Sequence, residues 1–223
     1  MKTQTGGKTE ANAPMETSKS KVTIITPTRN RGQKMLSQAI GCVRAQTFPD
    51  FHHIICTDGA RDVNIESLVE NEDKRFEYRW TGNPLGLTGS GIRVQLLQSI
   101  ETEFVCFFDD DNLLLPTYLE KMIGALKDGS LQGESADFSI CQCYHFGPLQ
   151  GFHGKPPKVL TGVPPKLYWI DMIQCVFRTD EFRRFGGFRN LGYFSDGYTY
   201  EAFAEKHTFI EVPEILCIHP NSH

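Results

Sequence analysis

Five consecutive apolar residues, Phe104-Val105-Cys106-Phe107-Phe108, run directly into three aspartates, Asp109-Asp110-Asp111. A strand covering a core with one face alternates apolar and polar residues, whereas a strand apolar throughout has to be buried on both faces. This one therefore belongs inside a sheet covered by helices on each side, and it ends in concentrated charge. Both facts point to a layered α/β architecture.

The flanking sequence repeats the arrangement. Val22-Thr23-Ile24-Ile25-Thr26 is a β-branched run stopped by Pro27, residues 53–57 form a second run stopped by Asp58-Gly59, and residues 76–80 form a third stopped by Thr81-Gly82-Asn83-Pro84. Between these runs, residues 33–46 place Met35, Leu36, Ala39, Ile40 and Val43 at helical spacing. Residues 65–70 and 92–100 read as further helices, as does 116–127, with proline near its start. Such alternation implies βαβ units and a mostly parallel sheet, whose functional groups collect at the carboxyl ends of the strands. Polar clusters stand at three of those ends: Thr26 to Arg29, Asp58-Gly59 and Asp109-Asp110-Asp111.

The second half is less regular. Residues 137–146 and 174–178 read as strands, the latter followed by a short helix and Gly186-Gly187. Residues 147–165, rich in Gly, Pro and Lys, read as a long loop suited to a lid or an acceptor-binding segment. Residues 196–206 form a helix with an acidic first turn, and 209–212 and 215–218 are two short closing strands.

Composition narrows the function. With 23 Lys and Arg against 27 Asp and Glu, the net charge of −4 excludes a broadly basic nucleic-acid-binding surface. No stretch reaches the roughly 18 apolar residues of a membrane span, so any membrane association is peripheral. Residues 1–20 are polar, lack the apolar segment of a signal peptide and read as a disordered leader. Seven cysteines at irregular spacing, with no second pair to match Cys141 and Cys143, argue for reduced thiols in a cytoplasmic protein rather than a zinc tetrad.

The carboxylates carry the chemistry. Asp109 and Asp111 are two apart, so in extended chain they project to one side. That suits a hard divalent cation, Mg²⁺ or Mn²⁺, with substrate phosphate filling other positions. A helix cap near Pro116 would need one aspartate, and three in a row favour the metal. Asp58 is either an ordinary Asp-Gly turn or an acceptor for a base N–H or ribose hydroxyl. Asp196 is either a cap or a general base, and its position alone does not choose. Arg93 follows a glycine-rich stretch and can meet a diphosphate. Gly86, Gly89 and Gly91 match neither a dinucleotide fingerprint nor a P-loop, which removes the main dehydrogenase and nucleotide-hydrolase readings. His52 and His53 read as structural, and a lone His219 is open. Tyr144, Phe152, Tyr168 and Trp169 stack on a sugar or pack in the core.

Taken in order, these segments resemble the family 2 glycosyltransferases with the GT-A fold. VTIITPTRNRGQKMLSQAIGCVRAQTFPDFHHIICTDGA, residues 22–60, is similar to the family's opening. CFFDDDNLLLP resembles its Asp-x-Asp segment, RTDEFRRFGGF its Arg-containing strand and Gly-Gly-Phe turn, SDGYTYEAFAEKH its acidic helix, and IHPNS its closing His-Pro-x-Ser. The likeness runs from about Lys21 to the end. It implies a GT-A (Rossmann-like) α/β/α sandwich with a mixed, mostly parallel sheet over 21–223. Within it, 21–115 would bind the nucleotide-sugar and 116–223 the acceptor.

The resemblance also implies roles. Thr26, Pro27 and Arg29 would line the nucleotide pocket, Asp58 would meet the base or ribose, and Arg93 and Asp110 would lie near the donor. Asp109 and Asp111 would be the Asp-x-Asp pair, with Asp111 the more direct ligand of Mn²⁺ or Mg²⁺ and His219 reaching the metal or diphosphate. Asp196 would be the base of an inverting hexosyl transfer to a glycan, lipid-linked or other hydroxyl acceptor, as in polysaccharide synthesis. The chain departs from the family at Thr57 (for Asp), Val94 (for Asn), Asn112 (for Asp) and Ser195 (for Glu). Two alternatives stand beside this reading. One is a catalytically silent nucleotide-sugar or glycan-binding module. The other is a haloacid-dehalogenase-type phosphatase, in which the first aspartate follows the first strand rather than three βα units.

Overall fold

A computed structural model describes residues 20–29, 33–131, 134–146, 159–189 and 192–220. The leader expected over 1–20 falls outside these residues except for Ser20. So do residues 147–158 of the expected loop, Asn30 and Arg31 of the opening motif, and Asn221 and Ser222 of the closing one.

The strands are β1 (Val22–Thr28), β2 (Phe51–Thr57), β3 (Phe76–Trp80), β4 (Phe104–Phe107), β5 (Leu113–Leu114), β6 (Ser130–Leu131), β7 (Glu134–Ser135), β8 (Phe138–His145), β9 (Val159–Leu160), β10 (Cys175–Arg178) and β11 (Phe209–His219). The helices are α1 (Gln33–Arg44), α2 (Val63–Glu70), α3 (Ser90–Leu97), α4 (Tyr118–Asp128), α5 (Thr179–Phe185) and α6 (Ser195–Ala204). The main sheet has the order β3-β2-β1-β4-β10-β8-β11-β5, with β9 paired to β8. β1 is parallel to β2 and β4, β2 to β3, and β8 to β11, whereas β10 is antiparallel to both β4 and β8. β6 and β7 form a separate small ribbon.

Alternation along the central strands builds two cores from one sheet. On β4, Phe104 and Cys106 pack with Leu36, Ile40 and Val43 of α1 and Leu119, Met122 and Ile123 of α4. Val105 and Phe107 face the other way, onto Ile92 and Leu97 of α3, Phe182 of α5 and Tyr200 and Phe203 of α6. That is why the strand is apolar throughout, and it makes the fold a three-layer α/β/α sandwich. The second layer is an aromatic cluster: Phe177 stacks on Phe182 at 4.3 Å and on Phe138 at 5.5 Å, and meets Tyr200 and Phe203 at 5.1 and 5.5 Å.

Three local expectations change. The closing segment is one strand, β11, with its register slipping around Val212 and Ile215. Pro213 cannot donate to a ladder, so it sits in the irregularity instead of ending the strand. Residues 159–160 within the expected loop pair with β8. The aspartates do not continue the extended chain: Asn112 N–H donates to the Asp109 carbonyl at 3.2 Å, closing a turn. Asp109 and Asp111 therefore stand on a turn at the strand end and not on a continued strand pleat.

Phe177→Ala removes the centre of the aromatic layer and should cost about 3–5 kcal/mol of stability. Urea unfolding of the variant checks this; a loss no larger than that of a surface substitution contradicts the packing described.

Candidate active site

β1, β2, β4, β8 and β11 share one direction, and their carboxyl ends border a cleft of about 600 Å³. Small-molecule sites commonly span about 300–1,000 Å³. β1 contributes Pro27, Thr28 and Arg29, β2 contributes Asp58, β4 the aspartate turn, β8 His145 and Phe146, and β11 His219. Asp196 enters from the first turn of α6.

Thr26 is not part of this lining. It is fully buried, and its hydroxyl bonds to Nε2 of His53 at 2.8 Å. It stands one pleat repeat, about 7 Å, below the strand end, and Thr28 takes the rim position. His53 is structural as expected, with burial driving its imidazole down to about 3.

Asp58, Asp109 and Asp110 are each held by different partners. Asp58 accepts from Leu85 N–H at 2.6 Å and Gly86 N–H at 2.9 Å, with Arg29 at 3.5 Å. Asp110 accepts from the Thr28 hydroxyl at 2.7 Å. Asp109 is ion-paired to Arg93, whose guanidinium also donates to the Thr88 carbonyl at 3.1 Å. Arg93 is 2% exposed, so it lines the cleft as a clamp on Asp109 and the 86–89 turn more than as a free cation. Burial pushes the Asp109 carboxyl above its ordinary range, Arg93 pulls it back, and Asp111 and Asp171 push it up again.

The turn between Asp58 and Arg93 is strained. Leu87 and Thr88 both adopt positive φ, 59° and 51°, which side-chain-bearing residues rarely do. Gly89 follows at +81°, and a Cβ there would lie 2.9 Å from Pro27. The Asp58 and Arg93 bonds tie the turn down at both ends, against the rim of β1.

Asp196 occupies a helix N-terminus, which favours a carboxylate. Burial nevertheless dominates and, with repulsion from Asp171 and Asp109, raises it to about 7. Ser195, at the position of the family's glutamate, bonds to the Ser90 hydroxyl at 2.8 Å and fixes the start of α6 to that of α3. Gly197 allows a close approach of residue 167, since a Cβ would lie 2.8 Å from the Leu167 side chain.

Sequence reasoning missed Asp171 and His145. Asp171 lies just before β10, and because β10 is antiparallel its amino end reaches the edge where the parallel strands finish. The available signal was Asp171-x-x-Gln174, a capping-box spacing that the structure realises. Asp171 accepts from Nδ1 of His219 at 2.8 Å, and the His219 ring stacks on His145 with centroids 4.4 Å apart. Burial and this ion pair oppose each other: Asp171 ends below its ordinary range and His219 rises to about 9.

The donor set suits a hard divalent cation. Six carboxylates line the cleft, Asp58, Asp109, Asp110, Asp111, Asp171 and Asp196, against two guanidiniums, Arg29 and Arg93. Oxygen ligands with one or two imidazoles match Mg²⁺ or Mn²⁺. Among the described residues no helix is long and apolar enough to cross a membrane.

The family model for Glycosyl transferase family 2 matches residues 23–153. A Campylobacter jejuni protein named GalNAc(5)-diNAcBac-PP-undecaprenol beta-1,3-glucosyltransferase is 33% identical over 116 residues, 49% of this chain and 35% of the relative. S. aureus TarS in complex with UDP superposes with a TM-score of 0.70 at 17% identity, over 91% of this chain and 61% of that one. The mannosyltransferase PcManGT from Pyrobaculum calidifontis, in complex with GDP-Man and Mn²⁺, gives 0.67 at 17% identity, over 94% and 60%. The chain thus spans about a third of the curated relative and about 60% of the two solved structures.

Asp58→Ala leaves the N–H groups of Leu85 and Gly86 without their acceptor and frees the strained turn. The expected cost is about 1–3 kcal/mol in urea unfolding; an unchanged midpoint contradicts the tether.

Proposed function

The chain belongs to glycosyl transferase family 2 and has the GT-A fold, and from that premise we propose that it moves a hexosyl group from a nucleotide-diphospho-sugar to an acceptor hydroxyl with inversion. One observation carries the reading: a carboxyl raised to about 7, Asp196, opens into the same cleft as the aspartate turn and His219. The TarS complex with UDP and the PcManGT complex with GDP-Man support a nucleoside diphosphate donor, and the C. jejuni relative's name supports a lipid-linked acceptor.

Under this reading residues 21–115 hold the donor, with the nucleotide against Pro27, Thr28, Arg29 and Asp58, and residues 116–223 receive the acceptor. Asp109, Asp111 and His219 would hold Mn²⁺ or Mg²⁺, which would supply neutralising charge for the departing diphosphate. Arg93 keeps Asp109 aimed into the cleft. Asp196 accepts the proton of the attacking hydroxyl, and its elevated affinity for that proton matches it to a task near neutral pH. A single displacement needs no enzyme nucleophile, which sets this chemistry apart from an aspartyl-phosphate phosphatase.

Asp196→Asn should lower nucleoside diphosphate release from UDP-hexose, with acceptor and Mn²⁺ present, by about a thousandfold while UDP affinity stays unchanged. Release at the parental rate contradicts the assignment. UDP binding with no release by the parental protein, on any donor, identifies the silent module instead. The acid limb of kcat follows from the same group. Activity requires the ionised carboxylate, so it rises with pH through about 7 in the absence of other shifts, and a bound cation moves that limb lower. A profile flat through the whole carboxylate range contradicts Asp196 as the base.

A further inference from the structure

Asp171 is the carboxylate in the cleft to which neither the sequence nor the family likeness gives a task. Its two oxygens have separate partners: Oδ1 accepts from Ile173 N–H at 3.3 Å, and Oδ2 faces Nδ1 of His219 at 2.8 Å. The Asp171 N–H is itself fixed by Gln174 Oε1 at 2.8 Å, and Gln174 donates onward to the carbonyls of Cys141 and Leu160. The main chain of Asp171 is thus tied to the β8 and β9 backbone through the fully buried Gln174 side chain.

Two arrangements are compatible with the donor atoms of His145, Asp171 and His219 lying within 4.8 Å of one another. In one, all three ligate a single ion. The ring geometry disfavours it: His145 and His219 stack at 4.4 Å with 26° between planes, so their in-plane lone pairs run nearly side by side and do not converge. In the other, only His219 acts on the cleft, and its neighbours orient it. A metal-binding histidine commonly donates its other ring N–H to a carboxylate, which fixes the tautomer and the ring direction, and ligation displaces the proton from the nitrogen that meets the ion.

We propose that Asp171 is the positioning residue for His219: it takes the Nδ1–H, so that Nε2 is the nitrogen presented to the cleft, while His145 holds the ring from its face. This rests on the reading of His219 as a group that meets the cation or the diphosphate. His145 and His219 are register partners on adjacent parallel strands, and Asp171 arrives on the antiparallel strand's lead-in. The device is therefore built from three separate segments meeting at one sheet edge.

The test is a double-mutant cycle read as Mn²⁺ affinity, by electron paramagnetic resonance of the free aqueous ion with UDP present. Asp171→Asn keeps the size and the acceptor for Ile173 N–H; Asp171→Ser, a competent cap, replaces it should the first variant not fold. UDP affinity without Mn²⁺ and the melting temperature report cleft integrity. Asp171→Asn and His219→Ala should each weaken Mn²⁺ by about tenfold or more, and the double variant should be no weaker than His219→Ala alone. Losses that multiply in the double variant mean that Asp171 acts on the ion by itself, and overturn the proposal. Loss in His219→Ala with none in Asp171→Asn overturns it while leaving the cation site standing. Unchanged Mn²⁺ affinity in His219→Ala removes the reading beneath it, and the proposal with it.

Discussion

Repulsion among carboxylates gathered at one edge of the sheet is the constraint around which the rest of the molecule is arranged. Like charges a few ångströms apart at a poorly solvated surface cannot all stay ionised without compensation. The chain supplies that compensation piecemeal. Arg93 pairs with Asp109, the Thr28 hydroxyl with Asp110, two backbone amides with Asp58, and His219 with Asp171. In Asp109 and Asp196 burial and repulsion outweigh the compensation, and Asp196 is raised to about 7. A carboxyl that loses its proton near neutrality is suited to the general-base role proposed for Asp196.

The compensating groups also fix geometry. Asp58 and Arg93 hold the two ends of the 86–89 turn, whose left-handed Leu87 and Thr88 would otherwise relax. Ser195 and Ser90 lock the starts of two helices together, which sets where Asp196 enters. Rigid strand ends, a strained turn tied to them and a helix start pinned beside them give a cleft whose groups are preorganised before any ligand arrives.

Much of this was legible in the sequence, for identifiable reasons. β1 and β4 are β-branched or fully apolar, and Asp-Gly and the aspartates end β2 and β4, so strand and functional edge read from composition at short range, although β1 runs through Pro27 to Thr28 instead of stopping there. Asp58 and the aspartate run were visible because each follows such a strand, whereas Asp196 and His219 stood out only through the family resemblance. The rest depends on distant pairing. Thr26 looked like a rim residue, yet its side chain is committed to His53, 27 residues away. Asp109 and Asp111 lie on a turn closed by a hydrogen bond that an extended reading does not contain. Asp171 reaches the cleft only because β10 runs against its neighbours, and strand direction is a property of the sheet, not of residues 171–178.

Under the proposed reading a nucleoside diphosphate and a divalent cation complete the cleft jointly. Calorimetric titration of UDP into the full chain, with and without Mn²⁺, tests it most directly. Each ligand should tighten the other by the same factor, because a diphosphate would offer oxygens to the ion and the ion would offset the negative charge of the carboxylates. Equal UDP affinity in the two conditions would contradict the account.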